Sequence, residues 1–223
     1  TAPSDYMSNI IKNIVHVNPI IIQYGVDTTV FKRNDSPPDQ NRENAVISAR
    51  ALTNKYDIQT IINALPLIIN KHPETTAIIA GSGDKKDLFA ESMKKNKCEE
   101  KVTFEGEVPN NKMPELLNKA SVYISTSPSD GISISLLEAM ACGLFPIVTD
   151  IPGNREVITN NQNGILFETG NVTNLVDKVV SALKNKELQQ KASEMNKKII
   201  EERFSMSKNL SVIEDMYERL LRI

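Results

Sequence analysis

Short apolar runs alternate along this chain with longer stretches in which apolar positions recur every three or four residues. The short runs, at residues 45–48 (AVIS), 76–80 (TAIIA), 101–105 (KVTFE), 121–125 (SVYIS), 144–148 (LFPIV) and 164–167 (GILF), are rich in β-branched and aromatic side chains. They predict buried strands. The longer stretches predict helices over 57–71, 84–95, 112–119, 134–142, 172–184 and 186–203. Strand and helix in alternation imply an α/β protein with a Rossmann-like, doubly wound parallel sheet.

Both ends break this rhythm. Residues 1–35 hold a short helical stretch at 6–13, a strand-like run at 19–23 and then YGVDTTVF, and they read as the tail of a preceding unit. Residues 35–41 (DSPPDQN) are polar and proline-rich, the composition of a linker. The main domain is expected over 36–205. Residues 206–223 predict one more amphipathic helix, with Leu210, Ile213, Met216, Tyr217 and Leu220 on one face that needs a partner surface.

Composition narrows the function. With 223 residues, 40% of them hydrophobic, the chain can bury a full core. A net charge of −2 argues against a general nucleic-acid binder, which needs a strong basic excess. Cys98 and Cys142 lack metal-ligand spacing, and His16 and His72 do not complete a zinc site with them, so no metal is expected and a reducing, cytoplasmic setting is. No apolar run approaches the roughly 18–20 residues that span a bilayer. The chain opens at Thr1 with neither methionine nor a charged leader, which reads as a fragment or processed piece.

The densest chemistry lies in residues 127–158, SPSDGISISLLEAMACGLFPIVTDIPGNREVI. Here a strand, a turn, a helix closed by Gly143 and a second strand form one βαβ unit. The turn at 128–132 falls at the carboxyl end of the first strand, where open parallel sheets bind ligands. The free amides at the helix start can hold an anion, a diphosphate above all. Asp130 and Glu138 flank that start. A purely structural alternative stands beside this: Ser135 and Glu138 fit a capping box, and Asp130-Gly131 is an ordinary turn dipeptide. Gly81-Ser82-Gly83 after a strand permits close backbone approach, but neither a dinucleotide fingerprint nor a Walker lysine completes it.

Taken together, IIQYGVDTTVF, SARALTNK (48–55), AGSGD (80–84), VTFEGEVP (102–109), the 127–148 segment, PGNREVI and NGILF resemble, in order, the C-terminal nucleotide-sugar-binding half of retaining GT-B glycosyltransferases of family 4. The resemblance spans nearly the whole chain. It implies a donor-binding domain that transfers a hexose, with retention and without a metal or other cofactor, from a UDP- or GDP-sugar to a saccharide or lipid-linked acceptor. By the same resemblance Arg50 and Lys55 reach the donor diphosphate, where cations stabilise charge gained as the glycosidic bond breaks. Glu138 meets the ribose hydroxyls. Asp130, with the amides of Gly131 and Ile132, faces the transferred sugar and the diphosphate. Gly81 and Gly83 help close the nucleotide site, and the loop from Phe104 to Pro109, with Phe104 and Val108, meets the base.

The resemblance also implies a separate N-terminal acceptor-binding domain, of which residues 1–35 carry only the tail and linker. Residues 206–223 would be the helix that crosses back to it, and a peripheral membrane contact would run through that domain. The chain departs from the family at Asp130, where glutamate is usual; aspartate sets its carboxylate back by about one carbon–carbon bond. That departure favours the competing reading, a non-catalytic nucleotide-sugar sensor or scaffold subunit. A sugar-nucleotide epimerase fits less well, because PGNREVI and the paired carboxylates point together to transferases.

Overall fold

The computed structural model describes residues 1–34 and 40–221. Helix α1 (Asp5–Val15) comes first, and a short helix α2 (Gln40–Asn44) leads into the sheet domain. There β1 (Ala45–Ala49), α3 (Ile58–Lys71), β2 (Thr76–Ala80), α4 (Lys86–Lys95), β3 (Val102–Gly106), α5 (Met113–Leu117), β4 (Val122–Ser125), α6 (Ile134–Ala141) and β5 (Phe145–Thr149) follow. The chain then forms α7 (Pro152–Arg155), β6 (Ile165–Phe167), α8 (Val172–Lys184), α9 (Lys186–Arg203) and α10 (Met206–Leu221).

The six strands form one parallel sheet in the order β3-β2-β1-β4-β5-β6. This is the doubly wound arrangement, and its strand order reverses between β1 and β4. Alternate strand residues feed two cores. Val46, Ala77, Ile79, Val122, Ile124, Phe145 and Ile147 face the layer of α3, α4 and α8. Ile47, Ala80, Tyr123 and Val148 face α5, α6 and the end of α9. Burial on both faces is why the strands read as continuous apolar runs rather than alternating ones.

Helix α6 ends as the sequence implies. Gly143, at φ +75°, donates to the Met140 carbonyl while Leu144 donates to Ala139, a Schellman closure. His72 is structural, its Nδ1 within 3.0 Å of the Thr75 hydroxyl in the turn into β2.

The run at 19–23 is no strand: Ile21 makes only an isolated bridge to Ala2, and the run is not among the strands of the six-stranded sheet. The four-residue α7 was not foreseen. The linker expected at 35–41 lies mostly outside the described residues. At the ends of the chain, Val26 exchanges backbone hydrogen bonds with Phe204 and Met206, so residues 24–26 and the start of α10 are stitched together. A Cβ on Gly25 would stand 2.4 Å from Met206 Cα, so only glycine permits that approach. Among the described residues no helix is long and apolar enough to cross a membrane.

Candidate functional site

The site begins where β1 ends. Arg50 is the next residue, and the loop it opens is locked onto the loop after β2: Arg50 N donates to Ala80 O at 3.0 Å and Leu52 N to Ser82 O at 2.9 Å. That contact requires the two glycines. A Cβ on Gly81 would lie 2.2 Å from the Arg50 carbonyl oxygen, and one on Gly83 would lie 2.4 Å from that of Leu52. Gly81 also sits at φ +143°, which L side chains rarely adopt. The backbone these glycines admit is the chain's own, and it fixes where Arg50 leaves the sheet.

From there the Arg50 guanidinium reaches across to the β4 loop. It forms an ion pair with Asp130, donates to Ser127 Oγ at 3.2 Å and Ser135 Oγ at 3.4 Å, and stacks 4.3 Å from the Tyr56 ring centroid. Only 11% of its side chain is exposed, and its Nε is buried with no partner among the described residues. Tyr56 is held in turn by Thr126, whose hydroxyl donates to the carbonyls of Tyr56 and Asp57. Lys55 is exposed beside the same ring, its Nζ 5.2 Å from the centroid.

The β4 loop is buttressed from below by β5 and α7. Thr149 Oγ1 donates to the Ser127 carbonyl at 2.6 Å, and Asn154 Nδ2 donates to the Thr149 carbonyl at 2.8 Å. Gly153 packs beneath the loop tip, where a Cβ would meet the carbonyl oxygens of Gly131 and Asp130 at 2.5 and 2.6 Å. Here lies the physical reason for the Pro-Gly-Asn of PGNREVI.

Helix α6 starts at Ile134 with Ser133 as its N-cap, and the Ser133 side chain makes no capping bond. Its first-turn amides therefore have neither an intrahelical acceptor nor a side-chain one. The capping-box alternative fails. Ser135 is already inside the helix, and its hydroxyl bonds Tyr123 Oη at 2.8 Å and Ser133 Oγ at 3.0 Å, while Glu138 lies one turn further on. Glu138 instead stands half-buried with no hydrogen-bond partner among the described residues. Burial pushes its carboxyl up from the ordinary 4.5 to about 7.

These groups surround one cleft of about 430 Å³ at the carboxyl ends of β1 and β4, the point where the strand order reverses. Arg50, Asp130, Ile132 and Glu138, all picked out in the sequence, line it together. Tyr24, Tyr56, Ser133 and Ser135 line it too and were not picked out. Only Tyr24 carried a usable signal, as an aromatic residue directly before the Gly-Val-Asp of its motif. Lys55, Gly81, Gly83, Phe104, Val108 and Gly131 do not line it. Phe104 and Val108 are half-buried against the cores of opposite sheet faces. Among the described residues, no three His, Cys, Asp or Glu side chains converge as a metal site.

Comparison with known proteins bears on the fold and the family. N-acetyl-alpha-D-glucosaminyl L-malate synthase of Bacillus anthracis is 29% identical over 165 residues, 74% of this chain and 42% of that enzyme. The pneumococcal O-GlcNAc transferase GtfA, solved with UDP and GlcNAc, superposes at a TM-score of 0.85 with 20% identity, covering 100% of this chain and 45% of that one. The C-terminal domain of a glycosyl transferase group 1 protein (LpcC) of Francisella tularensis superposes at 0.73 with 20% identity, covering 82% of this chain and 100% of that one. The chain thus spans less than half the length of the curated relatives it matches, and its fold is the Rossmann-like α/β unit of GT-B glycosyltransferases. The family described as glycosyl transferases group 1 matches residues 31–199, well over half of the 223, and this chain belongs to it.

Proposed function

We propose that this chain is the donor-binding half of a glycosyltransferase that takes a hexose from a UDP- or GDP-sugar and transfers it, with retention, to a saccharide or lipid-linked acceptor. The observation that carries this reading is Glu138: a half-buried carboxylate with no hydrogen-bond partner among the described residues, in the same cleft as a guanidinium and an uncapped helix start. A burial cost of that kind is offset when a ligand supplies hydroxyl donors. A nucleoside diphosphate offers both halves of the match, a vicinal diol for Glu138 and anionic oxygens for Arg50 and the α6 amides.

In this reading Arg50 and Lys55 meet the diphosphate, so its charge is neutralised by side chains and amides rather than by a metal. Asp130, with Gly131 and Ile132, faces the sugar end, while the loop of Phe104 and Val108 meets the base, and the turn of Gly81 and Gly83 closes the nucleotide site behind it. The bond from the anomeric carbon to the diphosphate oxygen breaks, and the acceptor oxygen bonds that carbon on the same face. The acceptor proton passes to the departing diphosphate. Cations stabilise this step because charge on the diphosphate grows as the bond breaks.

The acceptor is assigned to a second domain, with residues 1–35 and 206–223 as the parts of this chain that run to it. Its closure over the cleft would exclude water. On this basis the 223-residue chain alone binds donor weakly and transfers little. Calorimetric titration with UDP, GDP and ADP, then with their sugars, tests the reading. Binding of at least one nucleotide, abolished in Arg50→Ala, is the expected result; a folded chain that binds none refutes it.

A further inference from the structure

We propose that a second ligand site lies at the opposite edge of the same central strands, and that it takes the phosphoryl dianion of a small soluble phosphate or phosphate monoester. Glu43, Ser121 and Gly143 precede β1, β4 and β5, so they stand at the amino-terminal edge of the three parallel neighbours whose other ends form the donor cleft. With Arg33, Arg42 and Lys186 they line a recess of about 220 Å³. Nothing in the donor reading uses it.

Among the described residues the charges in this recess do not balance: three cations face one carboxylate, Glu43, which stands 3.9 Å from the Lys186 ammonium. The two arginines have neutral partners. Arg33 Nη1 donates to Gln190 Oε1 at 3.1 Å and Ser193 Oγ at 3.3 Å. Arg42 makes two long contacts, both 3.4 Å, to the carbonyls of Ala120 and Cys142. Holding like charges together in a partly buried recess is costly. Burial, and then the charge of Arg33, push the Arg42 guanidinium down, and burial pushes the Lys186 ammonium down against the pull of Glu43.

This excess of two positive charges among the described residues matches a dianion, and guanidinium forks match tetrahedral oxyanions. An adjoining cavity of about 390 Å³ shares Arg33 and Gly143 and adds Phe31, Ile200 and the mixed charges of Lys197 and Glu194. It offers room for the organic part of a monoester. None of the exposed large apolar side chains lines the recess, which favours a soluble phosphate over a lipid headgroup.

The test is a calorimetric titration of the 223-residue chain with inorganic phosphate and with pyrophosphate, repeated in Arg42→Gln, Lys186→Gln and Arg50→Ala. Binding is expected in the native chain and in Arg50→Ala, with a loss of roughly tenfold or more in each of the other two, since each removes a charge-assisted contact. Arg42 touches two backbone carbonyls, so circular dichroism checks its variant, and should it unfold, the half-exposed Lys186→Gln carries the result. The proposal is overturned if the native chain binds neither anion at millimolar concentration, or if Lys186→Gln binds as the native chain does. It is equally overturned if Arg50→Ala abolishes binding, which would place the anion in the donor cleft, or if only vesicles containing phosphatidic acid are bound. Failure to bind nucleotides leaves this result untouched, because the two sites lie on opposite edges of the sheet.

Discussion

Replacing Glu138 by glutamine should make the empty protein more stable and the nucleotide complex weaker. The carboxyl is displaced by burial alone from 4.5 to about 7. That displacement corresponds to roughly 3 kcal/mol of destabilisation when the group is fully ionised, and residual exposure brings the expectation to about 2–3 kcal/mol. The sign follows from linkage. Because the folded-state value lies above the unfolded one, the stability associated with the protonated group is complete below about pH 4.5 and is lost as pH rises through about 7. Glutamine does not titrate. The variant's advantage in urea unfolding should therefore be near zero at pH 4.5, grow across the window, and level off by about pH 8. Binding should move the other way. Two charge-assisted hydrogen bonds from ribose hydroxyls are worth about 1.5–3 kcal/mol each, and a neutral amide recovers only part of that, so nucleotide affinity should fall about 100-fold. Native affinity should also rise toward pH 8 relative to the variant. A glutamine variant that is no more stable than the native chain at pH 8 would refute the burial argument. One that binds nucleotide undiminished would refute the assignment to ribose.

The other expectations are more local. Asp130→Asn removes one partner of an ion pair that is 11% and 23% exposed, and should cost about 1–3 kcal/mol in urea unfolding, between the values for surface and buried pairs; calorimetry should show nucleotide affinity raised, since Arg50 is released toward phosphate. Gly83→Ala places a methyl 2.4 Å from the Leu52 carbonyl oxygen, and thermal unfolding should fall by several degrees for a cost of about 2 kcal/mol or more, with nucleotide binding weakened because Arg50 shifts. Gly25→Ala, 2.4 Å from Met206 Cα, should speed amide hydrogen exchange across α10 while leaving β1, β4 and β5 protected.

Much of the fold was legible because burial on both faces leaves strands as unbroken apolar runs: the predicted 76–80 matches Thr76–Ala80 and the predicted 172–184 matches Val172–Lys184. The run at 19–23 misled for the same reason, since apolar, β-branched sequence states a preference for extension but not whether a sheet edge is there to receive it. Side chains in the cleft were legible unevenly. Glu138 stands out beside Asp130 at the start of a helix, but its ribose role and Arg50 itself come only through a resemblance, since an arginine after a strand is unremarkable by itself. The Arg50–Asp130 contact was not legible at all. It joins residues 80 positions apart and exists because β1 and β4 are neighbours, a fact of topology that no local pattern carries.

The glycine motifs link those two levels. Gly81 and Gly83 lie under the Arg50 loop and Gly153 lies under the Asp130 loop, each at a distance that excludes any Cβ. Read as sequence, AGSGD suggests backbone making way for a ligand, and PGNREVI is only a motif of the family. In the structure they make way for the chain itself, pressing the β1 and β4 loops down until an arginine and an aspartate meet over the reversal point of the sheet. With Arg50 and Asp130 matched to each other, the groups of the cleft left unmatched among the described residues are the Glu138 carboxylate, Arg50 Nε and the first amides of α6. The ligand is thus specified by what the site leaves over, hydroxyl donors for one end and anionic acceptors for the other. On that argument the native Asp130 does more for Arg50 than for the sugar, and the sugar-dependent part of donor affinity should change less in Asp130→Asn than the affinity for free nucleotide does.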